Sequence, residues 1–229
     1  MIGSPLLQML QLPPAYAPYG QDSDALPWHH EDPESTDRLY RGHRGTVDMV
    51  DVPEMGYLVI GGHGSPSEGR FAAAFETLFP VVYGAHFAAK QAYGVTPRVM
   101  PPEAVFWVDG EAPWNVAATP PEEWRWALMV MQPHPIDELI VEAAVEHARA
   151  KGVPRLEQLR YERWEEGAAA QILHVGPYES EAPTIATLHA AIAAAGLRPH
   201  GRHHEIYLGD PRRTAPEKLR TLVRQPVTR

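Results

Sequence analysis

The spacing of apolar positions changes several times along the chain, and each change marks an element. Thr46 to Val52 and Tyr57 to Ile60 are β-prone runs on either side of Pro53-Glu54-Met55-Gly56, which predicts a hairpin. From Arg70 the spacing becomes helical, with Phe71, Phe75, Leu78 and Val82 on one stripe. Pro80 inside that stripe predicts a kink near Glu76 to Phe79, and the helix should stop around Gly94. Val99 to Asp109 reads as a strand with Val105 and Trp107 on one face. A proline-rich loop from Gly110 to Pro121 leads to a strongly apolar strand, Trp124 to Gln132, which puts Trp124 and Trp126 on one face and Met129 and Met131 on the other.

The second half follows the same order. Ile136 to Lys151 is an amphipathic helix with Ile136, Leu139, Ile140, Ala143 and His147 on one side, ended by Gly152. Leu159 to Glu165 and Ala169 to Val175 predict a second hairpin around Glu166-Gly167. A helix over Pro183 to Ala195 rests on Ile185, Leu188 and Ile192. A short strand, His203 to Leu208, comes next. Thr214-Ala215-Pro216-Glu217 has the form of a capping box, and a last strand covers Leu222 to Gln225. Both halves run hairpin, helix, strand, loop, strand, and both end on Gln-Pro, at Gln132-Pro133 and Gln225-Pro226. The pattern predicts an α+β fold: two repeats, about 46–133 and 158–227, joined by helix 136–151 into a pseudo-twofold, two-lobed body. Residues 1–45 are set apart by Pro5, Pro13, Pro14, Pro18, Pro27 and Pro33, and no helix or strand period survives in them. They form an arm whose Tyr16, Tyr19 and Trp28 could pack on the body.

A junction between two such lobes is a common place for a small-molecule cleft. The strand at His203 carries the best candidate chemistry. Ile206 and Leu208 share a face suited to the helix side, leaving His203, Glu205 and Tyr207 on the other. A carboxylate there costs free energy unless it has a partner or a task. If the helices cover one sheet face, the opposite face is the cleft. Pairing the repeats sets Trp107 against Tyr207, so Trp107 should face the same cleft. Trp124 and Trp126 would add aromatic walls, with Met129 and His174 nearby. The plainer readings are tryptophans as core filler, His174 as a satisfied core histidine, and Glu205 paired with Arg212 or Arg213.

Composition narrows the classes. With 44% hydrophobic residues among 229, the chain can bury a core. A net charge of −9, from 20 basic and 29 acidic residues, argues against a nucleic-acid partner. No stretch approaches about 18 unbroken apolar residues, so no membrane partner is expected. The absence of cysteine excludes thiolate chemistry and fits a reducing cytoplasm. His29-His30 with His43 lacks a spaced third ligand, and His203 and His204 point to opposite faces, so no metal and no cofactor is expected. Neither G-x-S-x-G nor H-E-x-x-H occurs.

The run from Gln171 to Tyr178, the run His203-His204-Glu205-Ile206-Tyr207-Leu208 with Asp210-Pro211-Arg212-Arg213, Asp51 to Met55, and the strand from Trp124 to Pro133 together resemble the GyrI-like small-molecule-binding family. The resemblance spans about Thr46 to Val227. It implies tandem strand-helix-strand-strand repeats around a central aromatic cleft. It also implies partners among hydrophobic, planar or cationic small molecules, with the pocket carboxylate at Glu205. Stand-alone members that are similar bind varied drugs, and some hydrolyse cyclopropane-bearing DNA-alkylating compounds. On that reading Glu205 is a general base, Tyr207 orients water or substrate, and Trp107, Trp124, Trp126, Met129, His174 and His203 line the ligand. The other reading is a binding or sensing protein without chemistry. No helix-turn-helix segment is present, which argues against a transcription regulator.

Overall fold

A computed structural model of the protein describes residues 33–110 and 112–229. Tyr16, Tyr19, Trp28 and His29-His30 lie outside the described residues. The strands are β1 (Asp48–Val52), β2 (Met55–His63), β3 (Pro102–Trp107), β4 (Arg125–Met131), β5 (Leu159–Trp164), β6 (Gly167–Val175), β7 (Arg198–Pro199), β8 (His203–Tyr207) and β9 (Arg220–Thr228). They pair antiparallel in the order β1-β6-β9-β8-β3-β4-β2-β5, with β7 beside β9. That order is symmetric. β3 meets β8 at the centre, β4 and β9 flank them, and β2 and β6 follow on either side. This is the α+β arrangement expected of two related halves.

Neither predicted hairpin forms. β1 pairs with β6, not with β2, and β2 pairs with β5 and β4. Asp48 faces Gln171, Val52 faces Gly167, Met55 faces Trp164 and Ile60 faces Leu159, all in one unbroken register. Pro53 has no N–H to give to a ladder, so Pro53-Glu54 interrupts pairing without reversing the chain. The same holds for Glu165-Glu166 opposite. Each half therefore lends a strand to the other. With β1–β2 and β5–β6 as continuous paths, the neighbour relations close into a ring with an enclosed face and an outer face.

The helices are α1 (Pro33–Leu39), α2 (Gly69–Tyr93), α3 (Glu138–Ala150) and α4 (Ala182–Ala194). α2 continues through Pro80, runs for 25 residues and ends on Gly94 at φ 72°. Its length and apolar composition would suffice to cross a membrane. Phe71, Ala74, Leu78, Val81, Val82 and Ala85 instead lie in the protein core. Asp137 caps α3 by accepting from the Ile140 N–H at 3.0 Å. The buried face of α3 is Ile140, Val141, Ala144 and Ala148, rotated from the expected one so that Leu139 is exposed. Close packing on α2 sets this rotation: a Cβ on Gly84 would sit 3.4 Å from the Ala144 Cβ. Thr214 does not cap. A three-residue 3-10 turn, Pro216–Lys218, follows Ala215 without a side-chain cap.

The stretch before Thr46, expected to lack helix, holds α1 and docks onto the ring. Tyr40 is buried and donates its hydroxyl to Glu103 Oε1 at 2.6 Å. Gln171 Nε2 donates to the Arg41 carbonyl at 2.8 Å, and the Arg224 guanidinium donates to the Leu39 carbonyl.

The enclosed face carries a fully buried ionic cluster. His204 Nδ1 lies 2.9 Å from Glu166 Oε1 and its Nε2 lies 3.0 Å from Glu103 Oε2. Arg224 Nη1 donates to Glu166 Oε2 at 3.1 Å and its Nε to Gln171 Oε1 at 2.9 Å. Burial opposes the charge on His204, but the Glu166 charge and the hydrogen bonds to Glu103 and Glu166 lift its pKa to about 9. Burial raises the Glu166 carboxyl, yet the charges of His204 and Arg224 outweigh it and hold that carboxyl below its ordinary value. Two acids and two bases thus offset one another out of contact with water.

Candidate functional site

The outer face of the β3–β8 seam builds the site. Cross-strand partners point to the same side of a sheet. Ala104 is opposite Glu205 and Phe106 opposite His203. On the β4 side Trp126 is opposite Phe106. On the β9 side Val223 is opposite Glu205 and Thr221 opposite Tyr207, and His174 of β6 is opposite Thr221. One face therefore gathers Trp126, Phe106, His203, Glu205, Tyr207, Thr221 and His174.

The helices stand on this same face, contrary to the expectation that they cover the other one. Phe71 of α2 meets Phe106 with ring centres 6.0 Å apart and Trp126 edge-on at 5.1 Å. Leu188 and Ile192 of α4 pack with Ile172 and Val223. Glu205 thus lies on the floor of a groove flanked by α2 and α4, and Ile206 points into the enclosed ring beside His204. The sequence favoured the wrong side because the enclosed face is rich in polar residues and resembles a solvated one. Phe71, Phe75, Phe79 and Tyr83 form an i,i+4 ladder along α2, at centre distances of 5.7, 5.9 and 5.8 Å. Toward α4, Trp114 from the loop after β3 meets His189 at 5.1 Å.

Glu205 is a restrained carboxylate. Its side chain is 16% exposed. Tyr207 donates its hydroxyl to Oε2 at 2.9 Å, and His203 Nε2 lies 3.2 Å from Oε1. Burial and the neighbouring Glu205 charge push the Tyr207 hydroxyl well above its ordinary pKa, so it stays a donor. Tyr178, just before α4, sits edge-on to Tyr207 at 5.7 Å. The expected alternative pairing of Glu205 with Arg212 does not occur, since Arg212 closes on Asp210 at 3.0 Å.

The remaining candidates divide by face. Trp126 is buried and lies flat across Gly62, where a Cβ would come within 2.2 Å of its Cζ2. Trp124 meets Phe106 edge-on at 6.0 Å and donates its Nε1 to the Thr119 carbonyl at 2.9 Å. His174 bonds with Thr184 Oγ1 at 3.0 Å and reaches the Pro177 carbonyl at 3.2 Å, which fastens the turn into α4. Trp107 does not face the groove. Strand parity puts Phe106 there, while Trp107 stacks under the Arg202 guanidinium at 4.0 Å. Met129 lies across from Glu103 and Val59 on the enclosed face, so it too is absent from the groove.

Sequence reasoning missed Phe71, Phe106 and Glu181. Glu181 opens α4, is 5% exposed, and its Oε1 has no hydrogen-bond donor. Burial and then the Glu205 charge raise its pKa to about 9. The only signal for it was an acid shortly after Gly176-Pro177. Among the described residues no group of three or more histidines and carboxylates is placed to hold a metal ion.

The chain matches the family model for the GyrI-like small molecule binding domain over residues 45–228. Among solved structures, an uncharacterized conserved protein from Listeria innocua is similar at 30% identity and a TM-score of 0.76, over 85% of this chain and 98% of that one. A hydrolase from Listeria innocua is similar at 29% identity and a TM-score of 0.71, with the same coverage. The C-terminal domain of EcmrR shares the fold at 11% identity and a TM-score of 0.50, over 80% of this chain and 98% of that one. A search among curated proteins gives no significant match.

Proposed function

The chain belongs to the GyrI-like small molecule binding domain family, and on that premise we propose that it binds planar hydrophobic or cationic compounds in this groove and hydrolyses cyclopropane-bearing alkylating compounds. The carrying observation is Glu205, a carboxylate held by Tyr207 and His203 on a sheet face that it shares with Phe106, Trp126 and Val223. The rings of Phe71, Phe106 and Trp126 are buried and back the groove with a rigid aromatic layer, and Glu205 offers a proton acceptor or counter-charge. The similarity to a Listeria innocua hydrolase supports a catalytic reading.

In the proposed reaction a water between Glu205 and the strained ring gives its proton to Glu205. Its oxygen bonds to the ring carbon, and the cyclopropane C–C bond breaks. That electron pair moves into the conjugated carbonyl, whose oxygen takes a proton from solvent. Ring strain supplies driving force, so positioning and one base suffice. Destroying alkylators in this way would protect the cell that makes the protein. Incubation with a cyclopropane-bearing alkylator, followed by mass analysis, should show a water adduct. Glu205→Gln should bind the compound and leave it intact, and undiminished turnover in that variant would remove Glu205 from the mechanism.

The second reading is a binder without chemistry. Engagement of both Glu205 oxygens favours it, because a fixed carboxylate suits a counter-charge for an aromatic cation. Full recovery of intact compound from the wild-type protein would select this reading.

A further inference from the structure

The groove holds a second carboxyl group beside Glu205 that the proposed reaction does not use. Glu181 is more than nine-tenths buried, and its Oε1 has no donor. The group it faces is Glu205, itself an acceptor unless protonated. Two neighbouring carboxylates in a poorly hydrated site repel one another when both are ionised, and one proton between them relieves the repulsion. The Glu181 oxygen without a donor is the place where such a shared proton would sit.

The surroundings reinforce this. Glu205 and Tyr207 face Glu181 from β8, and Tyr178 and Glu179 from the turn before α4, with Asp210 beyond Tyr178. From β6, His174 is spent on Thr184 and the Pro177 carbonyl. From β9, the buried Thr221 hydroxyl stands beside Glu181 and favours its charged form, though less than burial and the Glu205 charge oppose it. No lysine or arginine is among the groups that act most strongly on Glu181. His203 Nε2 lies 3.2 Å from Glu205 Oε1 and is the titratable base set against the pair from β8, and Tyr178 and Tyr207 offer aromatic edges beside it.

We propose that Glu181 and Glu205 share one proton in the empty groove, and that an aromatic cation entering it takes the proton's place. This inference rests on the proposed binding of aromatic compounds and specifies which of them are linked to pH. Cation binding then releases a proton to the buffer, whereas binding of a neutral aromatic of the same shape releases none. A pKa of about 9 at Glu181 keeps the linkage active through neutral pH.

The test compares N-methylacridinium with acridine by titration calorimetry near pH 7.5, in two buffers of different ionisation heat. The wild-type protein should release about half a proton or more per N-methylacridinium bound and none per acridine. Its affinity for the cation should rise about three- to tenfold per pH unit between about pH 6.5 and 8.5. Glu181→Gln keeps the Glu205 charge and should bind the cation without proton release and with a flat pH dependence. Cation binding by the wild-type protein with no buffer-dependent heat overturns the proposal and leaves the binding function standing. Equal proton release in Glu181→Gln also overturns it. If neither dye binds, the binding function fails and the proposal fails with it.

Discussion

Tyr207 and Glu205 lie two residues apart on one strand face, and the tyrosine hydroxyl donates to the carboxylate at 2.9 Å. A hydrogen bond to a charged group contributes about 1.5–3 kcal/mol. Tyr207→Phe should therefore cost about 10- to 100-fold in turnover of a cyclopropane-bearing compound. The bound orientation of Glu205 depends on that donor, so steady-state kinetics of the variant should show a loss in kcat. Unchanged kcat would mean that Tyr207 does not orient the base.

The parity of β3 sets Phe106 in the groove and Trp107 outside it. Phe106 is buried under the groove against Phe71 and Trp124, so Phe106→Leu should loosen this backing and weaken binding of a planar dye by about 0.5–1.5 kcal/mol. Trp107→Leu should leave dye affinity within about twofold, since its ring lies under Arg202. Fluorescence titration of both variants checks the pair. A stronger effect at Trp107 than at Phe106 would contradict the register.

Gly62 is required by close approach, not by its backbone angle. Gly62→Ala drives a methyl into the Trp126 indole, and overpacking of this kind costs about 1–3 kcal/mol. Because Trp126 also meets Phe71, the displaced ring should disturb the groove along with the core. Urea denaturation and dye binding should both fall in this variant.

The buried cluster makes a strong demand on its acids. Glu166→Gln leaves His204 and Arg224 without their shared counter-charge, and breaking a buried ion pair costs about 3–5 kcal/mol. The variant should unfold at markedly lower urea. A loss comparable to that of a surface pair would show that water reaches the ring interior.

Stability should also follow pH with a defined sign. His204 titrates near 6.5 in an unfolded chain and about 9 when folded, so its contribution is present below about pH 6.5 and lost as pH rises through 9. Glu181, a carboxyl raised to about 9, gives the same downward slope from about pH 4.5. The depressed carboxyl of Glu166 works in acid, where stability falls as that group gains its proton. The urea midpoint should fall between about pH 6.5 and 9, less steeply in Glu181→Gln. A midpoint that is flat or rising across that window would contradict both assignments.

The sequence disclosed the fold class and the outward set His203, Glu205 and Tyr207, because a short regular strand obeys alternation. It misled on the side of the helices. Arg224, Gln171, His204 and Glu103 look like surface residues, and only the closed ring shows that they fill an interior. Trp107 was misplaced because likeness between repeats was used in place of pairing register, which a sequence does not carry. The hairpins failed for a related reason, since Pro-Glu and Glu-Glu at a bend read like reversals. Glu181 was hidden because acids are common at helix starts, and only its neighbour on β8 makes it unusual.

The strands that each half lends to the other have a consequence for assembly of the chain. Residues 48–60 find their partners at 159–171, so this ladder closes only after most of the protein has been made. Such distant pairing favours slow folding and all-or-none loss of structure. Neither lobe can open alone: an isolated first half would expose β1 with its amides unmet, a free edge apt to recruit another chain. The groove wall carrying α2 and the wall carrying α4 are thereby fastened to one frame, and a ligand pressing on one wall loads the backbone of both.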